Sequence, residues 1–528
     1  TPKSGQTLEQ VKELLLQEIE KIKKGDFPDW LLPAIMNNLK FQETKNYESN
    51  NARASAFVQA FINETKWADF VKRNERLSKI TKQQLIDFAK KNYNSNYVVV
   101  YKRVGEDKNV QKVTKPAITP VQVNRTENSD FVKGILEKSA PEIQPVFLDY
   151  NTDITRLKTK SNIDVLYTPN TENKTFNLYY ISDMGSNQNK KLKIAIEYLQ
   201  YLGTKDLTAT QIQQEFFKLG CSFGVFAGED EVWVSLNGLT ENIEKATKLF
   251  ENLLANAQPN EEALTGLIED IKKERADAKL NKQQILNGAL YAYAKYGKNS
   301  PFTNILSSKE LDNLKPAELV DIIHQLTTYE HRILYYGNNT PDELTTLLNK
   351  EHNVPAVLKS VPPPVQFKEM EPNTNVYVVD YDMKQAEVIL LAKDVPYNKN
   401  IIPEISIFNQ YFGGGGLSSV VFQEIRESKA LAYAVFSSYR NANKKTDNNY
   451  VYSYIGTQAD KLPEAMAGMM NLINNMPESE TAFAASKDAI IQGIRSERIT
   501  KTDILFNYEN AKKLGLDYDI RKDVYSKV

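Results

Sequence analysis

Two rhythms of apolar residues run along this chain. The stretch "QTLEQVKELLLQEIEKIKKGD", close to the start, spaces its apolar positions as an amphipathic helix does. The stretches "NLYYISDMG", "AEVILLAKDVP", "EVWVSLNGL" and "NYVYSYIGT" alternate at least in part and predict strands. The order of these elements recurs. In residues 147–352 a strand is followed by a helix ending at "YLQYLGT", then by the helix-to-strand segment "QIQQEFFKLGCSFGVFA", a strand, and helices such as "ENIEKATKLFENLLANA". Residues 373–528 open in the same order, with a helix ending at "FNQYFGGGG" and then "VFQEIRESKALAYAVFS".

A second match links the start of the chain to its middle. "LSKITKQQLIDFAKKNYNSNYVVVYKRVG" from Leu77 pairs with "LDNLKPAELVDIIHQLTTYEHRILYYGNN" from Leu311, and each predicts a capped helix, a turn and a strand ending near a glycine. Their separation far exceeds the roughly 20–50 residues of solenoid repeats, so the pattern predicts duplicated domains. The expected fold class is α+β, each unit a mainly antiparallel sheet with helices packed on one face.

Proline-rich stretches set the boundaries. Pro116, Pro120, Pro141 and Pro145 mark one linker, and Pro355, Pro362, Pro363, Pro364 and Pro372 mark another, because proline removes backbone donors and keeps the preceding residue extended. The expected division is a partial unit at 1–105, a linker at 106–146, a unit at 147–352, a linker at 353–372 and a C-terminally truncated unit at 373–528. Residues 1–105 supply only the second half of a unit. The chain does not begin with Met and reads as a segment of a longer polypeptide.

Composition narrows the function without naming it. With 66 basic and 67 acidic residues, the net charge of −1 gives no reason to expect nucleic acid or an anionic membrane as partner. No apolar run approaches the roughly 18 residues that span a bilayer. Cys221 is the single cysteine, which excludes an internal disulfide framework and fits either the cytosol or a bacterial periplasm, the latter slightly favoured. It lies in an apolar, strand-like context and reads as a core residue. The glycine run in "GGGGLSS" lacks the Lys of a phosphate-binding loop and predicts a tight turn between helices. The three histidines, His324, His331 and His352, form no zinc-binding pair and read as surface or capping residues.

"GGGGLSSVVFQEIRESKALAYAVFSSY" nevertheless resembles the signature of the non-zinc, C-terminal half of the pitrilysin/insulin-degrading-enzyme family, the inverted H-x-x-E-H zinc peptidases. In that family four homologous α+β domains form two halves around a chamber, and the first domain binds zinc. The resemblance implies that 1–105 corresponds to the end of the second domain, 147–352 to the third and 373–528 to most of the fourth. It places zinc and the general base in an N-terminal half outside this chain, and implies peptide substrates and an inactive chain when alone. In the helix ending at Gly203-Thr204, the motif positions fall on Ile194, Ala195, Ile196, Glu197 and Tyr198. Glu197 remains while both histidines are replaced, so no metal is expected here.

The resemblance also assigns a role to Arg426 and Tyr433, seven residues apart in "RESKALAY". The tyrosine hydroxyl would donate a hydrogen bond to the oxyanion that develops on the attacked peptide carbonyl, and the arginine would hold substrate carbonyls or a carboxylate. In the related unit the aligned positions are Phe217 and Phe223. The alternatives left open are a non-catalytic scaffold of the same fold and a peptide-binding subunit.

Overall fold

The computed structural model describes residue 2 and residues 5–103, 105, 129–138, 141–414 and 416–528. Most of the first expected linker, with Pro116 and Pro120, lies outside the described residues. The chain divides into two units, residues 1–33 with 66–144, and residues 34–65 with 145–528.

In the first unit, helix Leu8–Lys24 begins at a capping box made by Thr7 and Gln10 and ends at left-handed Gly25. A Cβ on Gly25 would lie 2.8 Å from Ile86 Cδ1, so the glycine lets helix Lys82–Asn92 pack closely. That second helix is also opened by a capping box, from Thr81 and Gln84. The strand expected after it does not form. Residues 96–103 lie outside any helix or ladder, with Val98 and Val100 89% and 88% exposed. A strand needs a neighbour for its N–H and C=O groups, and the described residues of this unit contain no strand.

The second unit holds two sheets. The larger contains β1 (Thr155–Lys158), β2 (Asp164–Pro169), β3 (Thr175–Ser182), β4 (Cys221–Ala227), β5 (Val232–Leu239) and β6 (Arg332–Gly337) in the order β1-β2-β6-β3-β5-β4. Only β2 and β6 run parallel; the other pairs are antiparallel. Alternation assigns the faces. Phe176, Leu178 and Tyr180 of β3 join Leu236 and Tyr335 in a core with Tyr198, Phe250 and Ile323 from three helices. Ile181, Leu166, Leu334 and Tyr336 face the other way.

That second face is also covered. Helix Thr502–Lys513, from the last part of the chain, brings Leu505 and Ala511 onto it, with Leu516 following. Phe506 meets the Tyr179 ring edge-on at 5.1 Å, and Tyr150 donates to Asn507 at 2.5 Å. Arg332, at the start of β6, donates to the buried Glu509 carboxylate through Nε at 2.7 Å and Nη2 at 2.6 Å.

The smaller sheet contains β7 (Gln385–Pro396), β8 (Ala434–Arg440) and β9 (Asn448–Gln458), all antiparallel in the order β7-β9-β8. Val435 and Ile455 sit over Ile425, Ala465 and Met469 from helices beneath. The architecture is therefore α+β with mainly antiparallel sheets.

Candidate functional site

Arg426 and Tyr433 flank a short turn at the edge of the smaller sheet. Residues Phe422–Ser428 form a wide, π-type helical turn, a feature frequent at functional sites. Its inner residue Ile425 is fully buried beneath the sheet, and Gly468 allows helix Leu462–Asn474 to close against it, since a Cβ there would come within 2.9 Å of Ile425 Cδ1. Arg426 follows and therefore points away from that core. The chain then reverses: the Ala430 amide donates to the Arg426 carbonyl at 3.1 Å and that of Leu431 to Ile425 at 2.9 Å. Ala430 holds φ of 49°, where an L-residue costs about 1–2 kcal/mol. Leu431 re-enters the core, and the Tyr433 amide donates to the Gly456 carbonyl at 2.9 Å, which fixes Tyr433 just before β8.

The turn brings the two side chains together. The Arg426 guanidinium lies 5.7 Å from the Tyr433 ring centroid and 4.7 Å from that of Phe422, four residues earlier. Glu427 is the carboxylate beside it, 3.6 Å from Nε. Tyr433 is 77% exposed and, among the described residues, its hydroxyl makes no hydrogen bond, so the phenol stands in solvent with its donor available. The resemblance singled out these two residues; the stacking of one upon the other, with Phe422 as a second plane, was not legible from the sequence.

The preceding glycine run fills the role expected of a tight turn. A Cβ on Gly413 would lie 2.3 Å from the Ser437 carbonyl oxygen of β8, and Gly416 has φ of +64°; Gly415 lies outside the described residues. Only glycine allows the helix end to approach β8 so closely.

The positions that the resemblance aligned with a zinc motif belong to a core. Ile194 and Tyr198, in helix Leu192–Tyr198, are buried, and the Tyr198 hydroxyl accepts from the Asn260 amide at 2.8 Å and donates to the Asn260 carbonyl at 2.6 Å. Glu197 has Lys193 as its nearest cation at 3.9 Å, and burial pushes its carboxyl above the usual range, with Glu274 adding to the effect. A zinc ion does not fit this donor set: one carboxylate stands between an aliphatic and a committed phenol. No cluster of three or more His, Cys, Asp or Glu side chains suited to a metal occurs among the described residues. Of the two aligned phenylalanines, Phe223 packs on Phe216 and Phe250 at 5.3 and 5.7 Å, while Phe217 is half-buried. Cys221 is buried and burial pushes its thiol up to about 12, as befits a core residue.

The histidines correct the sequence reading. His352 is buried, not superficial, and its Nδ1 lies 2.8 Å from Glu251 Oε1, which also accepts from the Tyr180 hydroxyl at 2.6 Å. His331 Nε2 lies 2.9 Å from His352 Nε2, and its Nδ1 lies 2.6 Å from the Tyr329 carbonyl oxygen. Distance in sequence between His331, His352, Glu251 and Tyr180 hid this chain of contacts. Burial is the main cause that lowers His331 to about 4, with the His352 charge acting in the same direction. A folded value below the ordinary 6.5 makes His331 stabilising when neutral, so its contribution is complete above pH 6.5 and is lost as pH falls toward 4. Urea unfolding at pH 7, 5.5 and 4 should show stability falling across that window, with a shallower fall in His331→Gln.

Residues 332–489 match the family model described as the peptidase M16 inactive domain. Over those residues the chain is similar to the inactive domain of the M16 peptidases. A zinc protease of Rickettsia bellii, itself uncharacterised, is 27% identical over 54% of this chain and 67% of its own length. The M16 inactive domain from Pseudomonas fluorescens superposes with a TM-score of 0.54 at 19% identity, covering 71% of this chain and 88% of that one. The periplasmic protease PqqL from Escherichia coli gives a TM-score of 0.57 at 14% identity, covering 97% of this chain but 59% of its own. At these identities the two structures share the fold of this chain. No helix among its described residues is long and apolar enough to cross a membrane.

Proposed function

We propose that this chain is the non-zinc part of an M16 zinc metallopeptidase that hydrolyses peptides in an enclosed chamber. It walls the chamber, binds substrate and presents Arg426 and Tyr433 to an active site whose zinc and general base belong to an N-terminal half. The observation that carries this reading is the exposed Tyr433 with Arg426 stacked on it, fixed to the sheet edge by a strained turn. A phenol with its donor in solvent suits a site where an oxyanion develops, and a guanidinium held between two rings suits a fixed substrate carbonyl or carboxylate. Duplication of the 147–352 and 373–528 units would explain why only one of them carries the polar pair. The periplasmic setting named for PqqL fits a chain with one cysteine, and we extend it to this protein on that basis.

Metal analysis tests the division of labour. The purified chain should contain no stoichiometric zinc, because Ile194 and Tyr198 replace the histidine ligands. Tight one-to-one zinc binding, with loss of folding on chelation, would overturn it.

A further inference from the structure

The chain of contacts from Tyr329 through His331 and His352 to Glu251 fixes how many protons it holds. The Tyr329 carbonyl oxygen can only accept, so His331 Nδ1 carries the hydrogen of their 2.6 Å contact. The 2.9 Å contact between His331 Nε2 and His352 Nε2 holds one hydrogen, because two bare nitrogens or two N–H groups cannot bond. Glu251 Oε1 lies 2.8 Å from His352 Nδ1 and also accepts from the Tyr180 hydroxyl. Burial, with the Glu251 charge adding to it, raises Tyr180 well above its ordinary value and keeps that hydroxyl protonated. An oxygen that takes two donors suits a carboxylate, so His352 Nδ1 is protonated as well. Three protons on four ring nitrogens are one more than two neutral imidazoles hold. The histidine pair therefore carries a single positive charge.

The surroundings place that charge on His352. Glu251, on helix Ile243–Asn256, touches His352 and not His331. The other charged groups nearby are engaged elsewhere. Glu330 accepts from the Ser360 hydroxyl at 3.4 Å, Glu351 lies 3.4 Å from the Lys350 ammonium, and Arg332 is paired with Glu509 and Asp183. The Lys359 ammonium lies 5.5 Å from the Tyr329 ring centroid. Both histidines sit where the segment after the 147–352 unit is fastened. His352 ends helix Pro341–Glu351, and the segment starts with the next residue. Within it, the Lys359 carbonyl accepts from the Glu330 amide at 2.9 Å and the Lys359 amide donates to the Thr328 carbonyl at 2.8 Å, on either side of Tyr329. Val354 and Leu358 pack on the same core as Tyr180.

We infer that the pair is a one-proton latch: imidazolium His352 on Glu251 and neutral His331 on Tyr329 hold residues 353–360 against the 147–352 unit, and a second proton, taken from solvent by His331 Nε2, releases them. Once both Nε2 atoms carry hydrogen, two cationic donors face each other across a 2.9 Å contact with no acceptor between them. One ring must then turn away. Movement of His331 gives up the Tyr329 carbonyl, beside the two backbone bonds of Lys359. Movement of His352 displaces the residue from which the segment starts. His331 is held low, to about 4, so release comes as pH falls and the latch is closed at neutral pH. The latch does not depend on the peptidase reading and requires no turnover.

The chain has three histidines, so nitrogen-15 spectra of the imidazole rings in the purified protein can follow each of them. At pH 7 His352 should show two protonated ring nitrogens, and His331 a protonated Nδ1 with a bare Nε2. His331→Gln and His324→Gln assign the signals; His324 stands outside the chain of contacts, its Nε2 lying 3.2 Å from the Ala257 carbonyl oxygen. As His331 titrates on acidification, exchange of the Glu330 and Lys359 amides, corrected for its intrinsic pH dependence, should rise about tenfold or more while the amides of β3 and β5 stay protected. His331→Gln should remove that rise and His324→Gln should keep it. Two neutral imidazoles on His331 and His352 at pH 7 would overturn the proposal, and the spectrum of the unsubstituted protein decides this even where a variant misfolds. So would titration of His331 with no change at Glu330 and Lys359, or the same rise in His331→Gln.

Discussion

Tyr433→Phe should lower peptide turnover by about ten- to a hundredfold in the protein joined to the zinc-binding half proposed for it, with zinc content unchanged. The substitution removes one hydroxyl from a side chain that is 77% exposed and makes no hydrogen bond from that hydroxyl among the described residues, so folding stability has little to lose. What is lost is a donor to charge that develops in the transition state. A well-placed donor of this kind is worth about 10²–10³ in turnover, and a smaller effect is expected where a metal shares the charge. Arg426→Ala should behave differently. In the role proposed for it, Arg426 holds the substrate before reaction, so the Michaelis constant should rise along with any fall in turnover. The substitution also unstacks Tyr433, whose ring lies 5.7 Å from the guanidinium, and the two effects should therefore be non-additive in the double variant. Steady-state kinetics of the three variants measures this directly. Tyr439→Phe makes a useful contrast, because the Tyr439 hydroxyl is committed to Asp394 at 2.5 Å on the same sheet.

The second large effect concerns architecture. Leu505→Ala should destabilise the protein by about 2–5 kcal/mol, read as a fall in the urea midpoint. Leu505 is fully buried between helix Thr502–Lys513 and the outward face of the larger sheet, against Leu166, Ile181 and Leu334. If that helix were a detachable appendage, the loss would be confined to it and the main transition would not move. The Arg332–Glu509 pair also ties this helix to β6, so undocking it would break that contact together with the apolar ones.

This docking shows where the sequence was readable and where it was not. The stretch "NLYYISDMG" predicted β3, and the structure uses both of its faces: Phe176, Leu178 and Tyr180 inward, Tyr179 and Ile181 toward the C-terminal helix. Local pattern specifies that a strand has two apolar faces. It does not specify which distant segment covers the second, because Leu505 and Ile181 meet only through tertiary packing. The failed strand at 96–103 has the same cause. "NYVVVYKR" has strand propensity, but propensity supplies no partner, and the ladder never forms. The site divides in the same way. The resemblance carried by "RESKALAY" singled out Arg426 and Tyr433, and the structure places the two side chains together. The left-handed Ala430 that turns Arg426 onto Tyr433 was not legible, since alanine carries no turn signal.

The most direct test of the central claim is peptide hydrolysis by residues 1–528 alone, by the zinc-binding half alone, and by the two together, with zinc measured in each. Efficient turnover should require both parts, zinc should reside with the N-terminal half, and Tyr433→Phe should depress the combined rate. Chelator-sensitive turnover by residues 1–528 alone would contradict the account. So would a combined enzyme in which Tyr433→Phe and Arg426→Ala both match the unsubstituted protein.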